Sequence, residues 1–563
     1  MTFWQASGWT CRPSWLVLIW LLCLRSPRLV GRAATVRWLV PLLAALTLAA
    51  AGDRSPARAA PARWHVVVIM TDDLDVHTVE TMLALGFLPN LERWVVNRGF
   101  RFTESFVTNS LCCPSRATFL TGRYSHNHGV RSNSSGQGSV AAFNDTSTVA
   151  TWLRDSGYRT GHVGKYLNEY GSRSLAPRTS PLNPHYVPPG WDHWQALVDH
   201  STYNVYNYRI NEQGAIVPYG DRPDDYQTAV LAERARRFIV ESRTFFPNRP
   251  IFLSVAPLAP HVELASMWPT MLDGLQYTDL WRWWIRPDPR DETRKPLRWN
   301  YIFNTLPLLP QGKPAFNEPD VTDKPAPLQR PIMTDDDVAA LTFQYRTRFA
   351  SMLAVDDLVG TVVAALGPAI DSTILVFTSD NGFLYGEHRM VEKVVPYEES
   401  IRVPLYIAVP GVTGPLAVDA LVVNNDLAPT IAHLAGVVPG RPVDGRSLVP
   451  LLTGPTPADW RQRFLIEHWF EGSDIDVPTY AAVRTGGTDT FAHRLYVEHY
   501  GDFSNPDTAT DIELYDLVED RDQLESRHAE PGRDAERAFL AEQVAKLETC
   551  GMNGQPSCQS LER

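Results

Sequence analysis

The chain is poor in cysteine and has no dense run of lysine and arginine. Six of its 563 residues are cysteine, and no second Cys/His cluster at zinc-finger spacing accompanies the adjacent pair Cys112-Cys113. The formal net charge of −11, together with the missing basic run, argues against nucleic acid as a partner. An anionic substrate remains compatible with this charge, because a local cationic pocket can lie within an acidic protein.

Long apolar runs are also missing from most of the sequence. After residue 60 no apolar run approaches the ~20 residues of a membrane-spanning helix, which predicts that the mature part is soluble. Residues 1–60 contain two shorter apolar runs, at 15–24 and 38–51, with arginines beside them and an alanine-rich stretch at the end. That order is typical of a secretory signal and predicts a secreted, cell-surface or periplasmic protein. An uncleaved N-terminal anchor is the alternative; we expect no other stable membrane partner.

The few cysteines fall into distinct groups. Cys550 and Cys558 close a short loop near the C-terminus, and in an exported protein such a pair is most simply a disulfide. Cys112 and Cys113 are adjacent, and adjacent cysteines rarely bond to each other because the geometry is strained. This pair is therefore buried filler, a nucleophile or a modified residue.

Continuous apolar runs alternate with helical patterns through most of the chain. The runs at 64–70 (WHVVVIM) and 373–378 (TILVFT) are typical of strands buried on both faces of a parallel sheet. Residues 334–366 have helical periodicity, with Thr334 as the N-cap and Gly367-Pro368 as the stop. Further strands are predicted at 158–163, 251–255 and 403–409, and further helices at 147–154 and 229–240. The alternation predicts an α/β fold with a large mixed, mostly parallel sheet sandwiched by helices.

We divide the chain into three parts. Residues 1–60 are the targeting region, residues 61–455 the α/β domain, and residues 456–563 a smaller α+β domain. In the last part, short strands and a following helix predict a small antiparallel sheet with one helix; the strands are at 464–469, 480–485, 494–500 and 512–517, and the helix at 533–547.

An irregular insert occupies residues 260–332 of the α/β domain. It is rich in proline and carries five tryptophans: Trp268, Trp281, Trp283, Trp284 and Trp299. A long irregular stretch of this kind is functional or disordered, and its aromatic content argues against disorder. Two interpretations remain open. The rings pack against the main domain, or they form a cleft wall that stacks on a sugar or aromatic substrate.

Acidic and amide side chains follow two of the predicted strands. Asp72-Asp73 come after the first strand, and Asp380-Asn381 come after the strand at 373–378. In open α/β sheets the binding crevice lies at the carboxyl ends of strands. Three carboxylates and one amide oxygen meeting there would form an all-oxygen site suited to Ca²⁺ or Mg²⁺.

Cys112 is predicted to begin a helix. Pro114 favours the first turn of a helix, where backbone N–H groups attract an anion, and Arg116 lies one turn further along. A plain cysteine at this place would be a candidate reactive thiolate. A thiolate beside a calcium-type site is chemically inconsistent, however, because hard cations prefer oxygen ligands.

The same stretch resembles a family motif. Residues 112–116 (CCPSR) and 120–123 (LTGR) are similar to the sulfatase motif Cys-x-Pro-Ser-Arg-x-x-x-Leu-Thr-Gly-Arg at every fixed position. The resemblance to this family, part of the alkaline phosphatase superfamily, implies that a separate maturation enzyme oxidises Cys112 to formylglycine (3-oxoalanine). It further implies that a metal, Ca²⁺ or alternatively Mg²⁺, is held by a set of five residues: Asp72, Asp73, Cys112, Asp380 and Asn381.

Other segments resemble further sulfatase landmarks. By that resemblance Lys165 and Lys393 bind the sulfate group, and His261 contacts the sulfate ester. Arg116 adds positive charge, and His388, in the stretch before Lys393, is assigned to substrate binding.

One position departs from the common arylsulfatase pattern. Leu167 stands where those enzymes have a histidine, so Asn168, His126 or His128 is expected to contribute a polar group instead. The segment GKYLNEYG at 164–171 resembles that of N-acetylglucosamine-6-sulfatases and the related extracellular heparan 6-O-endosulfatases.

The resemblance implies hydrolysis of a sulfate ester on a sulfated sugar, such as 6-O-sulfated N-acetylglucosamine, or on an aryl sulfate. The hydrate of formylglycine would attack sulfur and release the alcohol, after which sulfate is expelled. Two alternatives stay open: a phosphodiester or phosphonate monoester hydrolase of the same superfamily, and an inactive glycan-binding relative.

Overall fold

The computed structural model describes residues 63–263, 285–306, 312–470, 477–500 and 509–563. The predicted targeting region, with Cys11 and Cys23, lies outside the described residues. So do four of the five tryptophans of the insert.

The strands form one large sheet and three smaller ones. In chain order they are β1 (His65–Thr71), β2 (Gly99–Phe102), β3 (Ser105–Phe106), β4 (Arg159–Gly164), β5 (His193–Leu197), β6 (Arg209–Glu212), β7 (Ala215–Pro218), β8 (Ile251–Ala256), β9 (Thr373–Ser379), β10 (Leu384–Tyr385), β11 (Val391–Glu392), β12 (Leu405–Ala408), β13 (Leu416–Val418), β14 (Val422–Val423), β15 (Arg463–His468), β16 (Thr479–Thr485), β17 (Arg494–Tyr500) and β18 (Asp511–Asp516).

The α-helices surround these sheets. They are α1 (Val76–Ala84), α2 (Pro89–Trp94), α3 (Cys112–Thr121), α4 (Ser125–His128), α5 (Ser139–Ala142), α6 (Val149–Asp155), α7 (Gln227–Phe245), α8 (Asp291–Arg294), α9 (Pro296–Asn300), α10 (Asp335–Leu366), α11 (Glu398–Ile401), α12 (Leu427–Leu434), α13 (Val449–Thr453), α14 (Asp534–Leu547) and α15 (Cys558–Leu561).

The large sheet has ten strands in the order β13-β2-β12-β9-β1-β8-β4-β5-β6-β7. Its centre, from β9 to β5, is parallel, whereas β12, β6 and β7 pair in the antiparallel sense. The predicted mixed, mostly parallel sheet is confirmed. The predicted strand at 403–409 is present as β12, and it runs antiparallel to its neighbours. The sequence patterns did not indicate β2, β5 to β7 or β13, because these strands are short and lack a continuous apolar run.

Both faces of the central strands are buried, which explains their continuous apolar sequences. Along β1, Val67 and Ile69 join the core cluster that contains helix α10, while Val66 and Val68 join the cluster on the other face. A strand whose two faces are both covered by helices needs apolar residues at every position.

Helix α10 is the longest element and belongs to the first core cluster. The Thr334 hydroxyl accepts a hydrogen bond from Asp337 N, and the Asp337 carboxylate accepts one from Thr334 N, so the helix begins with a capping box. It ends at Gly367, whose φ of 51° suits glycine. With its 3₁₀ extension to Ser372 it is the one helix among the described residues with the length and composition to cross a membrane, and 72% of its most apolar window is buried in the protein.

The smaller antiparallel sheet, β15-β16-β17-β18, is followed by helix α14, as predicted. One face packs on α14, so that Leu465 of β15 and Val544 of α14 share a core cluster. Residues of the other face, such as Phe464 and Tyr480, share a core cluster with Tyr397. This face of the sheet therefore shares a core with the residues that follow Lys393.

Candidate active site

The acidic side chains converge because two neighbouring parallel strands end at the same level. Thr71 at the end of β1 pairs in register with Ser379 at the end of β9. Asp72, Asp73, Asp380 and Asn381 follow directly and are between 0% and 2% exposed. We call these four residues the acidic cluster.

Hydrogen bonds link the members of the acidic cluster. Asp73 N donates to Asp380 Oδ1 at 3.1 Å, and Asn381 Nδ2 donates to Asp73 Oδ1 at 2.7 Å. The two strand ends are therefore joined through side chains as well as through the sheet.

Cys112 is the first residue of α3 and lies beside the acidic cluster. Its Sγ is 3.6 Å from Asp72 Oδ1 and 4.0 Å from Asp73 Oδ1, and Lys393 Nζ donates to Sγ at 2.8 Å. The side chain is 1% exposed. The predicted position of Cys112 at a helix N-terminus is therefore observed, and the residue faces a mixture of carboxylates and cations.

Three cationic side chains surround the carboxylates. Lys165 Nζ donates to Asp72 Oδ2 at 2.6 Å, and Lys393 Nζ contacts Asp73 Oδ1. Arg116 Nε donates to Asp380 Oδ2 at 2.7 Å. Positive groups in a buried site are suited to hold an anionic substrate, because the low dielectric strengthens the attraction.

His261 closes the site from the side of β8. It follows the cis peptide Ala259-Pro260, and its Nε2 is 3.5 Å from Asp73 Oδ2. Its Nδ1 is 2.6 Å from Val262 O, which assigns the Nδ1 proton to that carbonyl in the neutral ring. Nε2 is then the ring atom that faces the acidic cluster.

Burial dominates the protonation of the site. Burial raises the pKa of the Cys112 thiol to about 12, although Lys165 and Lys393 oppose the shift. An unmodified Cys112 is therefore a neutral thiol, and the alternative of a plain reactive thiolate is not supported. Burial likewise lowers the pKa of His261 to about 4. Burial would raise the pKa of Asp72, but the neighbouring cations, Lys165 first, hold it well below its usual range.

The donor atoms of the acidic cluster fit a hard divalent cation. Three carboxylates converge, and Asn381 Oδ1 is a buried acceptor with no hydrogen-bond partner. Ligand atoms of Asp72, Asp73, Cys112 and His261 lie within 4.8 Å of one another. Ca²⁺ and Mg²⁺ prefer oxygen ligands such as those of Asp72, Asp73, Asp380 and Asn381, and an oxygen at position 112 would suit the ion better than sulfur.

Comparison with known proteins decides the family. The sulfatase profile matches residues 65–437, and the profile described as N-sulphoglucosamine sulphohydrolase, C-terminal, matches residues 386–549. The chain belongs to the sulfatase family. The sequence-based identification is confirmed, and with it the class of enzyme, a sulfuric ester hydrolase.

Curated relatives of this sulfatase cover most of the chain. Human N-acetylglucosamine-6-sulfatase is 30% identical over 504 residues, which cover 84% of this chain and 81% of the relative. The arylsulfatase of Volvox carteri is 30% identical over 542 residues, covering 90% and 76%. The extracellular sulfatase SULF-1 homolog of Drosophila melanogaster is 31% identical over 418 residues, 72% of this chain; the match spans only 33% of that longer relative.

Solved structures share the fold of this sulfatase. One is a protein in complex with its substrate D-glucosamine-2-N,6-O-disulfate, with a TM-score of 0.62, 22% identity, and coverage of 88% of this chain and 99% of that one. Another is the phosphonate monoester hydrolase of Agrobacterium radiobacter, with a TM-score of 0.59, 23% identity, and coverage of 86% and 96%. The fold is therefore common to enzymes that act on different esters.

Two residues that contact the sulfatase site have no part in the sequence motifs. The Tyr203 ring centroid lies 4.7 Å from Lys165 Nζ and 5.0 Å from the His261 ring. Arg348 is fully buried in α10, where it contacts the Asp73 carbonyl oxygen and its Nε donates to Tyr385 Oη at 2.7 Å. The sequence does not single out Arg348, because Arg346 lies two residues before it in the same helix, and nothing marks Tyr203 among its neighbouring tyrosines.

Asn168 contacts the rim of the site, and the predicted histidines have partners elsewhere. Asn168 Nδ2 donates to Tyr203 Oη at 2.7 Å. By contrast, His126 Nδ1 is 2.5 Å from Glu467 Oε1, and His128 Nε2 is 3.0 Å from Thr118 Oγ1. Leu167 replaces a histidine of common arylsulfatases, and of the three residues predicted to supply a polar group instead, Asn168 is the one that contacts the rim of the site.

His388 contacts residues outside the acidic cluster. Its Nδ1 is 2.7 Å from Glu318 Oε2, and its ring centroid is 4.4 Å from that of Tyr397. Its Nε2 is buried and has no hydrogen-bond partner, so its role in substrate binding stays a prediction.

The other described cysteines, Cys113, Cys550 and Cys558, are not part of the acidic cluster. Cys550 and Cys558 form a disulfide. Cys113 belongs to the core cluster on the α3 side of the large sheet, and its backbone N donates to Asn133 Oδ1 at 2.9 Å.

Proposed function

We propose that this sulfatase hydrolyses the sulfate ester of a sulfated sugar, with 6-O-sulfated N-acetylglucosamine as the model substrate, and that its residue 112 works as formylglycine. The observation that carries the proposal is the position of Cys112, at a helix N-terminus within 3.6 Å of Asp72 and 2.8 Å of Lys393 Nζ. As a buried thiol it is a poor nucleophile, so its place at the centre of the site calls for the oxidised form.

The acidic cluster would hold the divalent cation together with residue 112, and we propose Ca²⁺, with Mg²⁺ as the alternative. When bound, the cation supplies positive charge to reacting oxygens, and formylglycine supplies an oxygen nucleophile for a two-step reaction. The fit rests on the three carboxylates and on the unpaired Asn381 Oδ1.

The protein's own cations bind the sulfate group. Lys165, Lys393 and Arg116 place their positive charges around Cys112, where they offset the charge of the sulfate oxygens. These side chains are at most 7% exposed, so water competes little for them.

His261 is placed to assist the leaving alcohol. Its Nδ1 is held by the Val262 carbonyl, so Nε2 faces the substrate. Burial keeps the free ring neutral, but an anionic sulfate ester beside it favours the protonated form. Nε2 then donates a proton to the oxygen that departs.

The choice of a sugar rests on the relatives. Human, goat and bovine relatives are named N-acetylglucosamine-6-sulfatase, and they are 30%, 31% and 31% identical to this chain. A sulfated carbohydrate is accordingly the proposed partner, together with a maturation enzyme that oxidises Cys112. Two relatives are named extracellular sulfatases, which supports export through residues 1–60. We retain the division at residue 455 as part of the proposal.

Relative rates on two substrate classes test the proposal. The purified, matured enzyme is assayed on N-acetylglucosamine 6-sulfate and on an aryl phosphodiester, under the same conditions. A higher kcat/KM for the sulfate ester supports the proposal. A kcat/KM for the phosphodiester larger by orders of magnitude would instead identify the phosphonate-hydrolase type of activity seen in the name of one structural neighbour. Binding of the sugar without turnover of either substrate would identify a silent glycan-binding protein.

A further inference from the structure

The Asn168 amide is only half satisfied. Its Nδ2 donates to Tyr203 Oη at 2.7 Å, while its Oδ1 is buried and has no hydrogen-bond partner. A buried acceptor without a protein partner is unfavourable, so it needs a donor that the protein does not supply, from water or from a ligand.

The Asn168 amide is linked through Tyr203 to groups proposed to act on the sulfate ester. Tyr203, which holds the amide, has its ring 4.7 Å from Lys165 Nζ and 5.0 Å from the His261 ring. The Tyr203 side chain thus contacts Lys165 and His261 through its ring and Asn168 through its hydroxyl.

The turn that carries Tyr203 is fixed on both sides. Before it, Asp199 Oδ2 accepts from the backbone N of Glu169, the residue after Asn168, at 2.6 Å. After it, Val205 N donates to Glu263 Oε1 at 3.1 Å. The tyrosine hydroxyl is thus held in place relative to both Asn168 and the His261 segment.

The chemistry of the missing donor restricts the substrate. A sulfate ester is an anion whose oxygens only accept hydrogen bonds, so the sulfate group itself cannot satisfy Asn168 Oδ1. A simple aryl sulfate has no donor either. A sugar carries hydroxyl or amide N–H donors that can donate to a carbonyl oxygen; in N-acetylglucosamine 6-sulfate the nearest to the ester is the 4-hydroxyl, because C5 bears the ring oxygen.

We propose that Tyr203 is a positioning residue that orients the Asn168 amide, so that Oδ1 accepts a hydrogen bond from a hydroxyl or amide donor of the sugar. This inference rests on the proposed sulfatase function and extends it to the recognition of the sugar. Tyr203 acts through Asn168, and the sulfate-binding cations act independently of it.

The Tyr203→Phe variant tests the inference, because it keeps the ring against Lys165 and His261 and removes only the hydroxyl. We expect KM for N-acetylglucosamine 6-sulfate to rise about five- to tenfold, the effect of one lost hydrogen bond, with kcat nearly unchanged. Inorganic sulfate, the product, occupies only the cationic pocket, so its inhibition constant should not change. Titration calorimetry on the Cys112→Ala background gives the same two affinities without turnover.

A matched control and a double-mutant cycle complete the test. Tyr219→Phe removes a tyrosine hydroxyl that bonds Glu212 and Arg234, and it should leave all constants unchanged. Asn168→Ala should raise KM as much as Tyr203→Phe or more, and the double variant should be no worse than Asn168→Ala alone.

Two results would overturn the inference. One is an inhibition constant for sulfate that rises in step with KM in Tyr203→Phe; the other is additive losses in the double variant. Either result would mean that Tyr203 acts on sulfate binding or on the stability of the fold, and not through Asn168. Failure of the proposed function would look different, because the wild-type enzyme would then release no sulfate from the sugar.

Discussion

Two buried ionic clusters in this protein differ in how completely they are satisfied. Around Arg461, which is fully buried, the guanidinium donates to both Asp426 oxygens at 2.5 and 2.8 Å and to Glu562 Oε2 at 2.9 Å. Tyr124 Oη donates to Glu562 Oε1 at 2.6 Å. We call these four residues the structural cluster.

The acidic cluster and its cations are equally buried but leave polar atoms without partners. Asn381 Oδ1 and Arg116 Nη2 accept or donate no hydrogen bond, although Arg116 Nη2 lies 3.6 Å from Asp72 Oδ1, whereas every side-chain nitrogen and oxygen of the structural cluster is hydrogen-bonded. A saturated ionic cluster holds the fold together, while an unsaturated one is ready for a metal and a substrate. Asp426 belongs to the saturated kind, because Arg461 donates to both of its carboxylate oxygens.

The largest expected effect is that of replacing Cys112, which lies beside the acidic cluster. Cys112→Ala should abolish turnover, with a loss of ~10⁴-fold or more as for other nucleophile deletions. The assay is release of sulfate from the sugar. Cys113→Ala is the matched control: it removes the neighbouring sulfur from the core and should leave most of the activity, at a stability cost of ~1 kcal/mol. Activity in both variants would contradict the assignment.

Removal of one cation should affect activity far more than fold. Lys165→Met keeps the aliphatic stem and removes the charge, and we expect kcat/KM to fall by ~10²–10³. In urea unfolding with Ca²⁺ present, the free energy of unfolding should fall less than in a variant that loses Arg461 of the structural cluster, because the metal then neutralises Asp72. A drop in stability without a drop in activity would show that Lys165 is structural.

The converse experiment is Arg461→Met. It leaves Asp426 and Glu562 buried without their partner, so the free energy of unfolding should fall by about 3–5 kcal/mol. The protein that remains folded should keep nearly normal kcat, since Arg461 contacts no residue of the acidic cluster. A selective loss of kcat in a stable variant would remove the distinction between the clusters.

Metal addition should stabilise the folded protein through the acidic cluster alone. Ca²⁺ at about a hundred times its Kd should raise the free energy of unfolding by ~2.7 kcal/mol, and a chelator should reverse the gain. The Asp380→Asn variant should lose most of this increment, whereas Cys113→Ala should keep it. An equal gain in both variants would place the ion elsewhere.

The smallest expected effect belongs to the disulfide. Cys558→Ser opens the short loop between Cys550 and Cys558, and the chain-entropy relation gives a loss of about 2.5 kcal/mol for a loop of this length. Cys550 O accepts hydrogen bonds from His126 Nε2 at 3.0 Å and from Asn127 Nδ2 at 2.9 Å, so part of the loss should appear in the segment after α3. Hydrogen exchange of residues 124–129 measures it.

The sequence predicted those parts of the site whose position follows from regular elements. The runs at 64–70 and 373–378 are typical of buried parallel strands, and the residues after them meet because parallel strands end together. Pro114 placed Cys112 at a helix start. The confirmed fold and family follow from these patterns and from the motif around Cys112.

The rest depends on irregular backbone, which sequence periodicity does not describe. His388 precedes Lys393 by only a few residues, yet φ values of 54° at His388 and 61° at Arg389 turn the chain, and its ring faces Glu318. Tyr203 lies in a 3₁₀ turn, and its contacts with Lys165 and His261 join segments distant in sequence.

Mass spectrometry of the peptide that contains Cys112, from active enzyme made in its native host, tests the central claim most directly. We predict a peptide with the mass of formylglycine in place of cysteine at position 112, with Cys113 unchanged. An unmodified thiol at position 112 throughout the active sample would contradict the account.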